Sequence, residues 1–581
     1  MNIKQLIVKD YLESLTEKDE LNRIFPLLLE SMGYEILSKP TEYLGLQEYG
    51  KDLVAVGIDD DDIKKRFYFE LKGGADRNIT TRNFYGKDGI QESITEAVYT
   101  PFVSAYPEFE NLPLKVVIVH NGVIDGGLQT TFENFLVTIN KTVEKTVFER
   151  WDIARLTAMF SKHLFGAYLL TDPSTTKLFN RVLINLDTSD GVSQDFIKLI
   201  DSLFDKNEWK GYKSKIARKW QLLFESLKLI SFIIYTESRE YNNLDIAKRY
   251  LTHLLLRYWY WILKNNLEQD KKVLKYFNQI LLFFYEILRE YFDRTLSISQ
   301  SVDGLYSEKG GRYEQIGYTQ RTFDYLAYFL ILIEMEKSFF KDYDLIDAKD
   351  GLFNIIQFNS VSKRPLLDIH SIVIVNVLNL FIQTGDFDSA KAYLKSVLAT
   401  ILFRKEKSGI LPDANNNIRS VIKFTVTGTK PVYYSDSTSP LLAVLLEFVV
   451  RLDLEEDYNY LKNFVEKHDI TLGLFIPHHG KNSISKHLIE NKDDDLEEQL
   501  FSISVKDGYQ VETRFTKDLM DELTFKEFKE KVEKRKYEFI YEYRTDKAGY
   551  HFLKDLAHHY FKTPYFPDKW RHLKIDVKPN L

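Results

Sequence analysis

The hydrophobic pattern of the chain changes character near residue 175. Before it, helical and alternating stretches interleave. In Glu20–Met32 the apolar Leu21, Ile24, Phe25, Leu28 and Met32 recur at helical spacing, and Gly33 follows as a C-cap. Asp52–Ile58 reads as a strand, Asp59–Asp62 as an acidic tip and Arg66–Lys72 as a second strand. Gln91–Tyr99 has helical character. Leu114–His120 is a buried strand stopped by Asn121-Gly122, and Phe132–Thr142 and Ile153–Leu164 are helices. The order α-β-β-α-β-α predicts an α/β domain, a mixed sheet flanked by helices.

Beyond Thr171–Lys177 (TDPSTTK), a polar stretch suited to a linker, the pattern is mostly helical. Helices are expected at Ile197–Phe204, Trp220–Tyr235, Leu244–Lys264, Lys272–Tyr291, Thr322–Phe340, Leu367–Thr384, Ser389–Phe403, Leu441–Arg451 and Lys526–Lys536. Gln383–Leu394 (QTGDFDSAKAYL) looks like the turn and second-helix start of a tetratricopeptide-type repeat, without a clean period. Ser297–Gln320, Lys405–Pro440 and Gly473–Asn491 read as loops. Leu500–Val505 and Tyr509–Phe515 alternate like a hairpin around Asp507-Gly508. The expected organisation is therefore a domain over 1–170 and a helical, repeat-like region over 178–581, with a possible split near 405–440.

Composition narrows the chemistry. The 581 residues include no Cys, which removes disulfides, Cys-ligated zinc, iron–sulfur clusters and a thiol nucleophile. No apolar run is long enough to cross a membrane, and the N-terminus is acidic where a signal peptide would be apolar; a soluble, cytoplasmic protein is expected. The net charge is −7, and residues 1–165 carry all of it, with 19 basic against 26 acidic residues. Any nucleic-acid contact must then come from local patches.

Candidate chemistry centres on Gly50-Lys51-Asp52 and Phe69-Glu70-Leu71-Lys72. Strand alternation places Glu70 and Lys72 on one face, opposite Phe67, Phe69 and Leu71. If the acidic tip is an antiparallel turn flanked by Ile58 and Arg66, Val54 lies opposite Glu70 and Asp52 opposite Lys72. Asp52 then shares their face, and a slip of one residue would remove it. Two carboxylates and an ammonium suit Mg²⁺ or Mn²⁺, with the Leu71 carbonyl as a further ligand, and phosphodiester hydrolysis. Lys72 could orient the nucleophilic water and offset transition-state charge.

These residues resemble the PD-(D/E)XK nuclease superfamily, most closely restriction-endonuclease-like domains of the Mrr kind. The resemblance rests on a helix ending Met32-Gly33-Tyr34, Asp52 after Gly50, Glu70-Leu71-Lys72, Gln91 in the next helix, the strand and turn Leu114–Gly122, and Val147–Leu156 as last strand and helix. It spans about residues 15–165. It implies Asp52 and Glu70 as metal ligands, Lys72 as catalytic lysine, Gln91 as support and an acid from the first helix, Glu20 or alternatively Glu30. It also implies a Mg²⁺-dependent endonuclease acting on DNA, with RNA possible. By analogy with bacterial restriction and anti-phage systems, the helical region would sense a trigger, and the protein would work as a homo-oligomer or with a partner subunit. The alternative is a non-catalytic helical scaffold with an inactive nuclease-like head.

Lys206–Trp220 offers Lys210, Lys213, Lys215, Arg218 and Lys219 for phosphates, with Trp209, Tyr212 and Trp220 for stacking, against the plainer reading of a solvated helix start. His478, His479, His487 and Glu490 make a weak metal cluster. Gly473 to Asn482 lacks the spacing and hydroxyl of a phosphate loop, so no ATPase is expected. His558-His559 reads as packing.

Overall fold

The computed structural model describes residues 3–39, 51–87, 89–143, 146–166, 170–188, 191–205, 209–211, 216–432, 434, 436–479, 509–515, 523–538, 544–562, 569–573 and 575. The chain divides into two units, 1–254 with 275–280, and 255–274 with 281–581.

The first unit is built on a five-stranded mixed sheet, in the order β1 (Glu35–Ser38), β2 (Leu53–Ile58), β3 (Lys64–Lys72), β4 (Leu114–His120), β5 (Thr146–Trp151). The first three strands are antiparallel neighbours, and β4 runs parallel to both β3 and β5. Every residue of β4 is buried, as expected of a central parallel strand covered on both faces. On one face Val54, Val56, Tyr68, Val116, Ile118 and Phe148 pack with Phe84 of α3 (Thr81–Tyr85), Ile90 and Ile94 of α4 (Ile90–Tyr99), and Phe132 of α5 (Gln129–Thr142). On the other, Phe69 meets Phe25 of α2 (Asn22–Ser31) and Trp151. α6 (Ile153–His163), capped by Asp152, packs against α2 and against α1 (Ile3–Ser14).

The β2–β3 register pairs Leu53 with Phe69 and Ile58 with Lys64, so Val54 faces Tyr68 rather than Glu70. The turn is tighter than expected because Lys65, buried, bonds Asp59 at 2.6 Å, and Lys115 of β4 reaches the same carboxylate at 2.8 Å. These lysines hold Asp59 down at about 2 against the cost of its burial. The difference is two positions, so the faces are unchanged.

The stretch expected as a linker begins a helix instead. Asp172 caps α7 (Pro173–Ile184) by accepting the Thr175 N–H at 3.2 Å, with Pro173 at its first position. Helices α8 (Gln194–Asp205) and α9 (Arg218–Glu240) follow. Lys228 of α9 bonds Asp10 of α1 at 3.0 Å, so the first unit extends beyond the sheet region.

Two long helices, α10 (Leu244–Lys264) and α11 (Lys271–Ser299), each contain residues of both units. The second unit continues with α12 (Glu314–Phe339), α13 (Leu345–Phe358), α14 (His370–Gln383), α15 (Phe387–Ser408), α16 (Ile418–Thr427), α17 (Pro440–Arg451) and α18 (Glu455–Lys467), then helices Phe525–Glu538, Arg544–Lys547 and Phe552–Phe561. α14 and α15 form the expected helical hairpin, with Gly385 at φ +75° in the turn and Asp386 capping α15. The loop tracts hold more structure than their composition suggested. α16 occupies part of 405–440, and Gly473–His479 is strand β6, paired antiparallel with β7 (Tyr509–Phe515). Residues 500–508 and 480–491, including His487 and Glu490, lie outside the described residues. His558 and His559 are buried, and His559 Nε2 lies 2.9 Å from Asp324, which fits packing.

Asp368 is a costly group in this unit. It is 2% exposed, accepts the Leu441 N–H at 3.1 Å and the Ser439 hydroxyl at 3.3 Å, and its Oδ2 has no hydrogen-bond partner among the described residues. Burial, and then the carboxylate of Asp413, push its carboxyl well above the usual range. The folded state therefore keeps a proton that the unfolded chain releases above about pH 4. Stability must fall as pH rises from there through the folded pKa. Asp368→Asn removes that decline, so the variant should gain on wild type in thermal melts between acid and neutral pH. A gap constant with pH would contradict this.

Candidate active site

Asp52, Glu70 and Lys72 converge at one corner of the first unit. Continuing the β2–β3 register by one step sets Asp52 beside Glu70. Asp52 stands just before β2, where its Oδ2 accepts the Leu71 N–H at 2.5 Å and its own N–H bonds the Phe69 carbonyl at 2.9 Å. Glu70 is 5% exposed, and its Oε1 receives the Lys72 ammonium at 2.7 Å. N–H and C=O of one strand residue point the same way, so the Leu71 carbonyl also faces the β2 edge, toward Asp52. The Lys72 carbonyl faces β4, where it accepts the Asn121 N–H at 3.4 Å.

The acid contributed by the first helices is Glu17, not Glu20 or Glu30. Glu20 turns back to accept the Thr16 N–H at 2.7 Å, and Glu30 pairs with Lys39 at the surface. Glu17 opens a π-turn, Glu17–Leu21, and the Gly73 N–H, Lys72 and Glu70 all act on its carboxylate. Its approach depends on Gly73, where a Cβ would stand 2.7 Å from the Glu17 nitrogen. The end of α1 that delivers it is tied down by buried Asn121, whose Nδ2 donates to the Leu12 and Leu15 carbonyls at 2.7 and 2.9 Å. Asn121 thus does more than stop a strand.

The charges at this corner act on one another. Burial, and then Glu70, push the Asp52 carboxyl well above the usual range, with Lys72 opposing. Burial also raises Glu17. For Lys72 burial acts downward, but Glu70, Glu17 and Asp52 outweigh it and hold the ammonium above the ordinary lysine value. Two further titratable groups at this corner were given no role from the sequence. Lys51 is buried, with its ammonium 5.5 Å from the Tyr68 ring, and burial brings it down to about 8 although Glu96 and Glu70 act upward. His120, in register with Lys72, is buried and lowered by that burial to about 4. Its Nδ1 contacts the Arg77 carbonyl at 3.1 Å, and its Nε2 has no hydrogen-bond partner among the described residues.

Gln91 sits partly buried in the first turn of α4, and no hydrogen bond joins it to Asp52, Glu70 or Lys72. Among the described residues no group of three or more His, Asp or Glu is disposed to hold a metal ion. An ion at this corner would therefore use two carboxylates, Asp52 and Glu70, a backbone oxygen and water, which is how Mg²⁺ is commonly held. Beyond burial, the charge of Glu70 raises Asp52, and a dication would relieve that repulsion; hard oxygen donors suit such an ion.

The basic segment is only partly described. Lys213 and Lys215 lie outside the described residues, and Arg218 begins α9. Lys210 and Lys219 are exposed, but Trp220 is 3% exposed and meets Trp209 edge to face at 5.2 Å. Trp220 is therefore a packing residue and not a platform for bases. No helix of the described residues is long and apolar enough to cross a membrane. Comparisons of the chain with protein-family models, curated proteins and solved structures found no match.

Proposed function

We propose that the first unit is a divalent-metal-dependent nuclease of the PD-(D/E)XK type, hydrolysing phosphodiester bonds of DNA, with RNA a possible substrate. The observation that carries this reading is the meeting of Asp52, Glu70 and Lys72 on one sheet face, with Glu17 brought to them across Gly73. Asp52, Glu70 and the Leu71 carbonyl are the groups to hold Mg²⁺ or Mn²⁺. A bound Mg²⁺ acidifies a water and takes up charge on the phosphate. Lys72 then orients that water and offsets the charge growing on the phosphoryl oxygens. Glu17, beside Lys72, keeps the lysine charged and aimed. The helical second unit would recognise a trigger, a partner subunit or a second copy, in a defence context suggested by analogy alone.

The test is incubation of the purified chain with plasmid DNA and with RNA, in Mg²⁺, Mn²⁺ or EDTA, beside Asp52→Ala, Glu70→Ala and Lys72→Ala. Cleavage that needs the metal and disappears in all three variants supports the enzyme. Glu17→Gln should cut more slowly than Glu20→Gln. Equal cutting by wild type and variants would place the activity elsewhere, and its absence in wild type would favour a binding head on a helical scaffold.

A further inference from the structure

Nucleic acid must approach the first unit against its charge, since residues 1–165 hold 26 acidic against 19 basic residues. A polyanion is then held where cations gather without carboxylates. An open cleft of about 710 Å³ between α2 and α7, within the first unit, is such a place. Pro26, Leu27 and Leu170 give it an apolar wall. Its charged lining residues are Arg23, Lys39 and Lys177, and no carboxylate lines it. The acids beside it in the chain are engaged. Glu30 pairs with Lys39 at 2.9 Å, and Asp172 turns to the Thr175 N–H at 3.2 Å and the Ser174 hydroxyl at 2.6 Å. Arg23 and Lys177 are exposed, and neither pairs with a carboxylate among the described residues. Arg23 Nη1 reaches the Thr171 carbonyl at 3.5 Å, which sets this guanidinium at the α7 side of the cleft.

The place of the cleft suits the candidate active site. α2 follows directly on the π-turn that Glu17 opens. Arg23 stands six residues after Glu17, roughly 9 Å of helical rise. That spans two to three base steps of a strand, at about 3.4 Å each. No aromatic residue lines the cleft, so it offers phosphates their counter-charge and offers bases no stacking platform. We infer that this cleft carries the nucleic-acid backbone away from the cleavage corner, with Arg23 and Lys177 each holding a phosphate of a duplex. The assignment rests on the nuclease reading, but phosphate contacts can be measured without any cleavage.

The experiment is fluorescence anisotropy of a fluorescein-labelled DNA duplex with the full chain over a NaCl series, in CaCl₂ and in EDTA. Wild type is compared with Lys177→Gln, with the double variant Arg23→Gln/Lys177→Gln, and with Lys198→Gln, which removes an exposed lysine of α8 outside the cleft. Each lost phosphate contact weakens binding irrespective of sequence and flattens the plot of log Kd against log salt by about one. Lys177→Gln should flatten it by about one, and the double variant by about two, binding about a hundredfold more weakly at low salt. Lys198→Gln should keep the wild-type slope, and so should Arg23→Lys/Lys177→Arg, which retains both charges. A wild-type slope in the double variant, or an equal flattening in Lys198→Gln, overturns the cleft. Wild type that cuts DNA beside a double variant of unchanged slope keeps the nuclease and rejects the cleft. Wild type that binds through the cleft but cuts nothing keeps the cleft and rejects hydrolysis. A chain that neither binds nor cuts rejects both.

Discussion

Asp52→Asn is expected to slow metal-dependent cleavage by about a thousandfold or more, while melting at or above the wild-type temperature. The two halves of this result have one cause. Asparagine keeps an oxygen to accept the Leu71 N–H, so the bond at 2.5 Å that joins β2 to β3 survives. It removes the negative charge that Glu70 opposes and that burial penalises. In the ion-free protein this is a gain; for a cation it is the loss of one of two carboxylates. A structural aspartate would behave in the opposite way, with melting falling and any activity surviving in the folded fraction. Paired melting curves in EDTA and cleavage rates in Mg²⁺ separate the two, since groups selected for chemistry are commonly paid for in stability.

The second large effect belongs to the helical unit. Glu447→Ala should cost about 3–5 kcal/mol of stability, the usual result of removing one partner from a buried ion pair. Glu447 is fully buried in α17. Its carboxylate takes Arg535 Nη1 at 2.6 Å and Arg571 Nε at 3.0 Å, and against the cost of burial these guanidiniums hold it below its usual range. Alanine would leave two buried guanidiniums facing each other. One sits in the short turn Lys569–His572, where Trp570 stacks on Phe448 at 4.5 Å and Arg451 donates to the Trp570 carbonyl. The variant should therefore unfold at lower urea and lose protection against proteolysis around residue 570. A urea midpoint unchanged from wild type would show that this charge cluster does not support the C-terminal turn.

The three central residues were legible because alternation assigns a face by parity alone. The register expected for β2 and β3 was wrong by two positions, since nothing in the sequence showed that Lys65 and Lys115 would close on Asp59 and draw Lys64 into the strand. An even error keeps the face, so Asp52, Glu70 and Lys72 still met. Glu17 was not legible. Counting helical turns back from Gly33 assumes an α-helix throughout, whereas the π-turn at Glu17–Leu21 shifts the phase and turns Glu20 toward Thr16. Lys51 was named beside Asp52, but its side chain could not be placed, because alternation holds only inside a strand and β2 starts at Leu53. Asp172-Pro173 was legible and misread, since a capping aspartate followed by proline opens helices as readily as it decorates linkers. In the helical unit the long apolar runs gave their helices directly, whereas α16 and α18, each with few buried positions, carry no long apolar run to mark them.

The central claim is that Asp52 and Glu70 together hold a divalent cation. Calorimetric titration of the ion-free protein with Mn²⁺ measures this without a substrate, a trigger or a partner. Wild type should bind Mn²⁺ saturably, and Asp52→Asn and Glu70→Gln, each folded by its melting curve, should lose that binding. Heats in wild type no larger than dilution, or a Mn²⁺ affinity left intact by both substitutions, would contradict it.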